Sequence, residues 1–243
     1  MNLQYQTMFE TKQNFKQSIS FGAVNRCSTF VLVLFLSSLA VVGQEIRDQK
    51  EAERVYKQSI IDQKLNKQYY DELHKCEKLL KEENYKSAEA SCRLSITFAN
   101  KLPKHSYIER YKANARTGVS LLRQHRAEES ITYFERSLEV AKPNLTENDT
   151  ETGEINFLIG QAYHIQNKVP EAISFYDKAE STFRAAFVAI DHEELRFRYP
   201  KVIKDILEVH LMLLEDSQME AEAAKLRLRI SECEKEFTKY LEN

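Results

Sequence analysis

The sequence predicts an all-α fold, an array of helix–turn–helix hairpins. After Gln44, apolar and small residues recur at spacings of three and four, which places each set on one helix face. The 243 residues include only 5 glycines and 4 prolines, too few for the frequent turns of an all-β domain. One pattern also recurs without gaps every 42 residues, at Cys76, Gly118 and Gly160. Because a single hairpin buries little of its apolar surface, such repeats must stack.

Three aligned segments carry the repeat: "CEKLLKEENYKSAEASCRLS", "GVSLLRQHRAEESITYFERS" and "GQAYHIQNKVPEAISFYDKA". We call equivalent positions of the three segments, 42 residues apart, columns. Five columns share a residue type: small (Cys76, Gly118, Gly160), large (Leu79, Leu121, Tyr163), small (Ala88, Ser130, Ala172), mostly aromatic (Cys92, Phe134, Tyr176) and small (Ser95, Ser137, Ala179). Between the two helices of each segment we expect a turn at "KEEN", "RQHR" and "QNKVP". Pro170 suits the first turn of the helix that follows.

These columns resemble the tetratricopeptide repeat, most closely in the third copy, where "IGQAY" precedes "EAISFYDKA". The tryptophan usual in the family is absent from the chain. The period of 42 residues resembles the long variety of kinesin light chains and of many bacterial sensor and regulator proteins. The resemblance implies a right-handed superhelical array of hairpins, with a concave groove lined mainly by the first helix of each repeat.

The repeats suggest a four-part organisation. We expect a leader at 1–43, an N-terminal capping helix at 44–68, three repeats at 69–190, and a degenerate C-terminal hairpin at 191–243. The last hairpin should turn near residues 216–218, with Ala224, Leu228 and Ser231 in the columns of its second helix. Terminal repeats are expected to be atypical, because one side of them faces water.

The leader is predicted from the apolar stretch between Phe30 and Val42. Its roughly 13 residues fall short of the ~20 that a membrane-spanning helix needs. Val41 and Gly43 suit a signal-peptidase site, so cleavage after Gly43 is expected. A late start of translation, near residue 24, would give a compact leader. An uncleaved membrane anchor is the alternative. In either case, the rest of the chain is expected to be exported.

The four cysteines form no CxxC pair, so neither a zinc site nor a thioredoxin-like site is indicated. Cys76 and Cys92 occupy facing columns of the first repeat. Two interpretations stay open at this point. Either the two cysteines form a disulfide in an oxidising compartment, or they are buried thiols that fill small packing positions.

No catalytic, cofactor or metal-binding motif is found, and we expect neither an enzyme nor a cofactor. The run "DHEE" at 191–194 sets a histidine beside carboxylates, but adjacent residues on a helix do not share a face. We interpret this run as a charged helix end. A formal charge of −2 with both signs interleaved lacks the basic face that nucleic-acid binding would require.

The resemblance to tetratricopeptide repeats places candidate partner-binding residues on the first helices, with Lys81 and Arg123 at the edge. The nine residues are Leu73, Glu77, Leu80, Ala115, Val119, Leu122, Phe157, Gln161 and His164. Glu77, Val119 and Gln161 stand where a carboxylate-clamping relative would want asparagine, which disfavours a co-chaperone. The largely apolar set suits an extended or helical segment. Packing between neighbouring repeats is the competing interpretation of the apolar members.

The expected function is therefore an exported scaffold that binds a protein or peptide in its groove. Contact with a membrane is expected only through an uncleaved leader. The alternative is an extracytoplasmic sensory or regulatory input module, related to repeat-containing signalling proteins.

Overall fold

Every regular element in the described part of the chain is a helix, which confirms the predicted all-α class. The structure, a computed structural model, describes residues 26–104, 106–146, 149–190 and 197–241, with the backbone alone for 26–40 and 42. Two units are distinguished, Met1–Ser59 and Ile60–Asn243. The helices are α1 (Arg26–Lys81), α2 (Tyr85–Ala99), α3 (Tyr107–Arg123), α4 (Ala127–Ala141), α5 (Thr150–Ile165), α6 (Val169–Ala189), α7 (Arg198–Asp216), α8 (Glu220–Glu236) and α9 (Thr238–Leu241).

In the first unit, the described backbone is helical from Arg26 onward. Its surface carries local ion pairs such as Lys57 Nζ to Glu53 Oε1 at 2.7 Å, one helical turn apart. The predicted boundaries at 43/44 and at 68/69 both fall inside α1. Residues 1–25 of the predicted leader, with the late start near 24, lie outside the described residues. Among the described helices, none combines the length and apolar character that a membrane-spanning segment requires.

Four hairpin turns of the second unit share one geometry. Each contains a residue with a left-handed backbone, at Glu83, His125, Asn167 and Gln218, with φ of 57–60°. The next residue donates its N–H to a carbonyl five positions back, for example Asn84 N to Leu79 O at 2.9 Å and Arg126 N to Leu121 O at 3.0 Å. This is the Schellman arrangement, which satisfies the last carbonyls of a helix. The first three turns recur every 42 residues, and so confirm the predicted period.

The small and large columns set how closely the paired helices approach. A Cβ added to Gly118 would lie 2.5 Å from Phe134 Cε1, and one added to Gly160 would lie 2.7 Å from Tyr176 Cδ1. Both rings are fully buried. Each ring therefore packs directly against the helix that carries the glycine, in agreement with the predicted helix–turn–helix packing.

In the first hairpin a disulfide takes the place of the glycine–ring contact. Cys76 of α1 and Cys92 of α2 are bonded, with their Cα atoms 5.2 Å apart. Their spacing of 16 residues equals that of Gly118 and Phe134. The reading as two packing thiols is wrong for this pair. It does fit Cys233, which is free and buried.

The hairpins stack through three neighbouring clusters of buried apolar side chains. One joins α1, α2 and α3, the next joins α3, α4 and α5, and the last joins α6, α7 and α8. Polar groups at these contacts find partners: Ser137 Oγ donates to Tyr111 O at 2.9 Å, and Tyr111 Oη donates to Glu151 O at 2.9 Å. Tyr111 thereby connects α3 to both α4 and α5.

The last hairpin turns at the predicted place, but its second helix has a different register. Ala223, and not Ala224, is the buried small residue, and Leu228 is 61% exposed. Ala223 follows the left-handed Gln218 by five residues, as Ala172 follows Asn167. The distance between these two turns is 51 residues rather than 42, so the earlier period cannot be extended to place α8.

Candidate partner-binding groove

Three adjoining clefts run along the first helices of the hairpins, and together they form what we call the groove. Their volumes are about 400, 430 and 470 Å³. Neighbouring clefts share residues, so the surface is continuous from α1 to α7. The groove is lined by Glu77, Leu80, Lys81, Glu83, Tyr85, Arg116, Val119, Leu122, Arg123, His125, Gln161, His164, Ile165 and Val209.

The repeat itself positions these side chains. Residues 42 apart lie at equivalent places on α1, α3 and α5, so the groove is a set of columns. Glu77, Val119 and Gln161 form one column. Leu80, Leu122 and His164 form the next, one helical turn further on, and hence on the same side of their helices. A surface built this way presents similar positions at each hairpin to an elongated ligand.

Six of the nine predicted residues line the groove. The other three are Leu73, Ala115 and Phe157. Leu73 and Ala115 are only 4% and 5% exposed, inside two of the apolar clusters. Phe157 is half-buried, with its ring 5.8 Å from that of Tyr176. Packing between hairpins therefore covers Leu73 and Ala115, whereas Phe157 packs within its own hairpin and does not line the three clefts.

Leu122 is buried by packing and also lines the groove. It is 4% exposed, yet it lines the largest of the three clefts. It forms the floor of the groove rather than a side chain that a partner could surround.

Sequence reasoning missed several lining residues. Ile165, which is 44% exposed, belongs to the same column as Lys81 and Arg123, so the 42-residue period could have identified it. Tyr85 is the first residue of a second helix, and Val209 belongs to α7 in the degenerate hairpin. Neither lies on the first helices of the three clear repeats, so the predicted columns did not include them.

Charged groups in the groove are partly paired. Arg116 Nε lies 3.0 Å from Glu77 Oε1, which joins α3 to α1 across the groove. His164 Nε2 lies 3.8 Å from Asp216 Oδ2 on α7, and its Nδ1 lies 3.4 Å from Tyr176 Oη. Burial raises the pKa of Tyr176 well above its usual range, so this hydroxyl stays protonated and can donate to His164. These contacts brace the groove without closing it.

A polar network lies behind the groove, where α2 meets α4. Glu89 accepts hydrogen bonds from Arg93 at 2.8 Å, Arg126 at 2.6 Å and Gln124 at 3.0 Å. Burial alone would raise the pKa of Glu89, but hydrogen bonds from Gln124 and Arg93 and the charge of Arg126 lower it. Glu89 therefore stays ionised and fixes the turn that carries His125 into the groove.

The second helices α6 and α8 enclose another cleft, of about 680 Å³. Its buried carboxylate, Glu180, is paired with Arg184 at 2.8 Å and with Arg229. Arg184 also pairs with Glu236 at 3.0 Å. Both arginines of this cleft are thus paired with carboxylates.

No group of three or more metal-ligating side chains is found among the described residues. The "DHEE" run at 191–194 lies outside them.

Comparison with known families identifies the repeats. The family model of the tetratricopeptide repeat matches residues 111–185, which cover most of the second and third hairpins. The chain therefore contains tetratricopeptide repeats over these residues, as its columns and period predict. Repeats of this family serve in general as non-catalytic scaffolds for interaction with proteins or peptides. No curated protein matches the chain.

Several solved structures are similar to this chain. The tetratricopeptide domain of Arabidopsis FLU is 21% identical, with a TM-score of 0.46, over 49% of this chain and 98% of that one. The putative kinesin light chain repeats of Podosopora anserina are 13% identical, with a TM-score of 0.46, over 71% and 90%. BtubC from P. vanneervenii is 13% identical, with a TM-score of 0.41, over 67% and 78%. At TM-scores below 0.5 we draw no conclusion from these likenesses.

Proposed function

We propose that this protein is an exported scaffold that holds an extended or helical segment of a partner in the groove. The observation that carries the proposal is the groove itself, a continuous surface with an apolar floor of Leu80, Val119 and Leu122. Exposed apolar side chains beside polar ones are typical of grooves that bind peptides. Ile165 adds an apolar anchor at the end towards α7.

Two features support export. The apolar stretch ahead of Gln44 suits a leader. The disulfide between Cys76 and Cys92 suits an oxidising compartment, because thiols in the cytosol of most organisms are kept reduced. The same disulfide joins α1 to α2 at the end of the groove, where it holds Leu80 and Tyr85 in place.

Binding in the groove is tested by selecting random dodecapeptides, displayed on phage, on the immobilised protein. We compare Ile165→Asp with Leu94→Asp, because these leucine and isoleucine side chains are 46% and 44% exposed. Leu94 lies on α2, a second helix, and does not line the groove. We expect peptides selected on the unmodified protein to lose binding to Ile165→Asp and to keep it with Leu94→Asp.

Equal loss in both variants would place the binding elsewhere, and the absence of any selected peptide would overturn the groove proposal. Circular dichroism of both variants confirms that each is folded before the comparison.

Export is tested on protein purified from its own cells. N-terminal sequencing should find Gln44 as the first residue, and intact mass should rise by about 2 Da on reduction of one disulfide. Residues before Gln44 in the mature chain would contradict cleavage after Gly43. A cytosolic pool with both thiols free would contradict export.

A further inference from the structure

Arg123 differs from the other described arginines of Ile60–Asn243 in having no intramolecular partner there. Each of the others contacts a carboxylate, a carbonyl oxygen or an aromatic ring. They are Arg93, Arg110, Arg116, Arg126, Arg136, Arg184, Arg198, Arg227 and Arg229. The Arg123 side chain is exposed. Its five N–H donors are thus available within the described part of the chain.

Arg123 also has a distinctive position, since it lines two of the three clefts, together with Tyr85. It is the last residue of α3. The negative end of a helix favours a cation there, but that field leaves the guanidinium donors unbonded. On the side towards α5, the cleft adds the Gln161 amide and the apolar Ile165.

The remaining charges of the groove leave a positive balance at this point. Lys81, one repeat earlier in the same column, is exposed, lines two clefts and has no ion pair among the described residues. Glu77 is neutralised by Arg116 at 3.0 Å. Glu83, in the turn, is the one unpaired carboxylate among the described lining residues. Two available cations therefore face one available anion.

We propose that the groove selects an acidic peptide segment, with one carboxylate bound by Arg123 and an adjacent apolar side chain against Leu122, Ile165 and Val209. The planar guanidinium matches a carboxylate in a bidentate pair, which supplies both energy and orientation. Lys81 adds a second, less directional attraction along the same column. This inference rests on the proposed function, because it names the chemistry of the segment that the groove holds.

The test uses the same displayed library of random dodecapeptides on three proteins. On the unmodified chain, the selected peptides should be enriched in Asp and Glu next to an apolar residue. On Arg123→Glu, the preference should shift towards Lys and Arg. Arg136→Glu is the matched control, since Arg136 is an exposed arginine on the second helix α4, and it should select the same acidic peptides as the unmodified chain.

Arg123→Gln gives the quantitative measurement and serves where Arg123→Glu does not fold. An acidic peptide selected on the unmodified chain should bind Arg123→Gln about ten-fold more weakly, as expected for the loss of a charge-assisted hydrogen-bonded pair. A version of that peptide with Gln for each acidic residue should bind both proteins equally.

The outcomes separate the two proposals. If the selected peptides show no acidic enrichment, or if Arg123→Gln binds them unchanged, the acidic preference is wrong while the groove remains a binding surface. If no peptide is selected on the unmodified chain, the proposed function fails as well.

Discussion

Gly118 determines how closely the two helices of the second hairpin approach. A Cβ there would lie 2.5 Å from the ring of Phe134, which is fully buried and surrounded. The corresponding distance is 2.7 Å at Gly160 and 3.0 Å at Gly153, where the nearest atoms belong to Phe183 and Thr182. The three glycines thus form a graded series.

We expect alanine at these positions to destabilise the fold in the order Gly118, Gly160, Gly153. Overpacking a core costs about 1–3 kcal/mol, whereas alanine in a helix gains about 1 kcal/mol over glycine. The clash should prevail at Gly118, and the two effects should nearly cancel at Gly153. Urea denaturation measures the free energy of unfolding. Equal stabilisation by all three alanines would show that the rings have room to move.

Loss of the disulfide should destabilise the first hairpin. Cys76 and Cys92 are 16 residues apart, and closing a loop of this size stabilises a fold by about 3 kcal/mol in the chain-entropy model. Urea denaturation with and without a thiol reductant should show a loss of that order. The reductant should have no effect on the double variant Cys76→Ala, Cys92→Ala. A similar effect on the variant and on the unmodified chain would refute the assignment of the disulfide to this pair.

Single residues were predictable where they belong to a column. The positions of Phe134 and Tyr176 followed from spacing alone. Burial of Leu73 and Ala115 did not, because the packing angle between successive hairpins decides which side of a first helix is covered. Spacing also left the state of Cys76 and Cys92 open, since a small packing residue and a half-cystine fit the same column.

At the level of elements, the hairpin turns place non-glycine residues in a left-handed backbone. His125 has φ of 60° and Gln218 has φ of 57°, a conformation that costs roughly 1–2 kcal/mol for residues with a Cβ. We expect His125→Gly and Gln218→Gly each to raise the free energy of unfolding by about 1 kcal/mol in urea denaturation.

Asn167 is the matched control for the turns. It has the same geometry, with φ of 57°, but asparagine tolerates the left-handed region better than most residues. Asn167→Gly should therefore gain less than the other two. A gain at Asn167 as large as at His125 would indicate a cause other than backbone strain.

The contact of α7 with α6 should respond to pH. Burial lowers the pKa of His210, the nearby Asp177 raises it, and Arg229 lowers it further, with Glu180 opposing. Because the native pKa is lowered, the unfolded chain binds a proton more readily. Stability should therefore fall as pH decreases from about 6.5, the unfolded value, towards the native one.

Comparing the unmodified chain with His210→Gln between pH 7 and 5 isolates this effect. The variant should lose the part of the pH dependence that lies in this window. The same slope in both proteins would assign it to other groups.

For the elements, the sequence predicted the four hairpin turns and the helices of the three repeats. The register of α8 was one residue off, because α7 is part of a longer unit with 51 residues between turns. In the column that holds Phe134 and Tyr176, this hairpin has the exposed Arg227, paired with Glu215 at 2.6 Å.

At the scale of the whole molecule, the repeats predicted the fold class and the family, while they predicted the groove only in part. Six of nine expected residues line it, and its positive balance became visible only when the partners of each arginine were known. Fold alone does not determine a partner. The groove chemistry around Arg123 and Ile165 is therefore the basis of the functional proposal.

The most direct test of the central claim, that the first helices hold the partner, is hydrogen exchange measured by mass spectrometry. A selected peptide is added at saturation to the unmodified chain, and exchange is compared with that of the free protein. We predict slower exchange in α3 and α5 and at the turn that carries His125, with no change in α4 or beyond the first turn of α2. Slower exchange confined to the second helices, or no change anywhere despite bound peptide, would contradict the account.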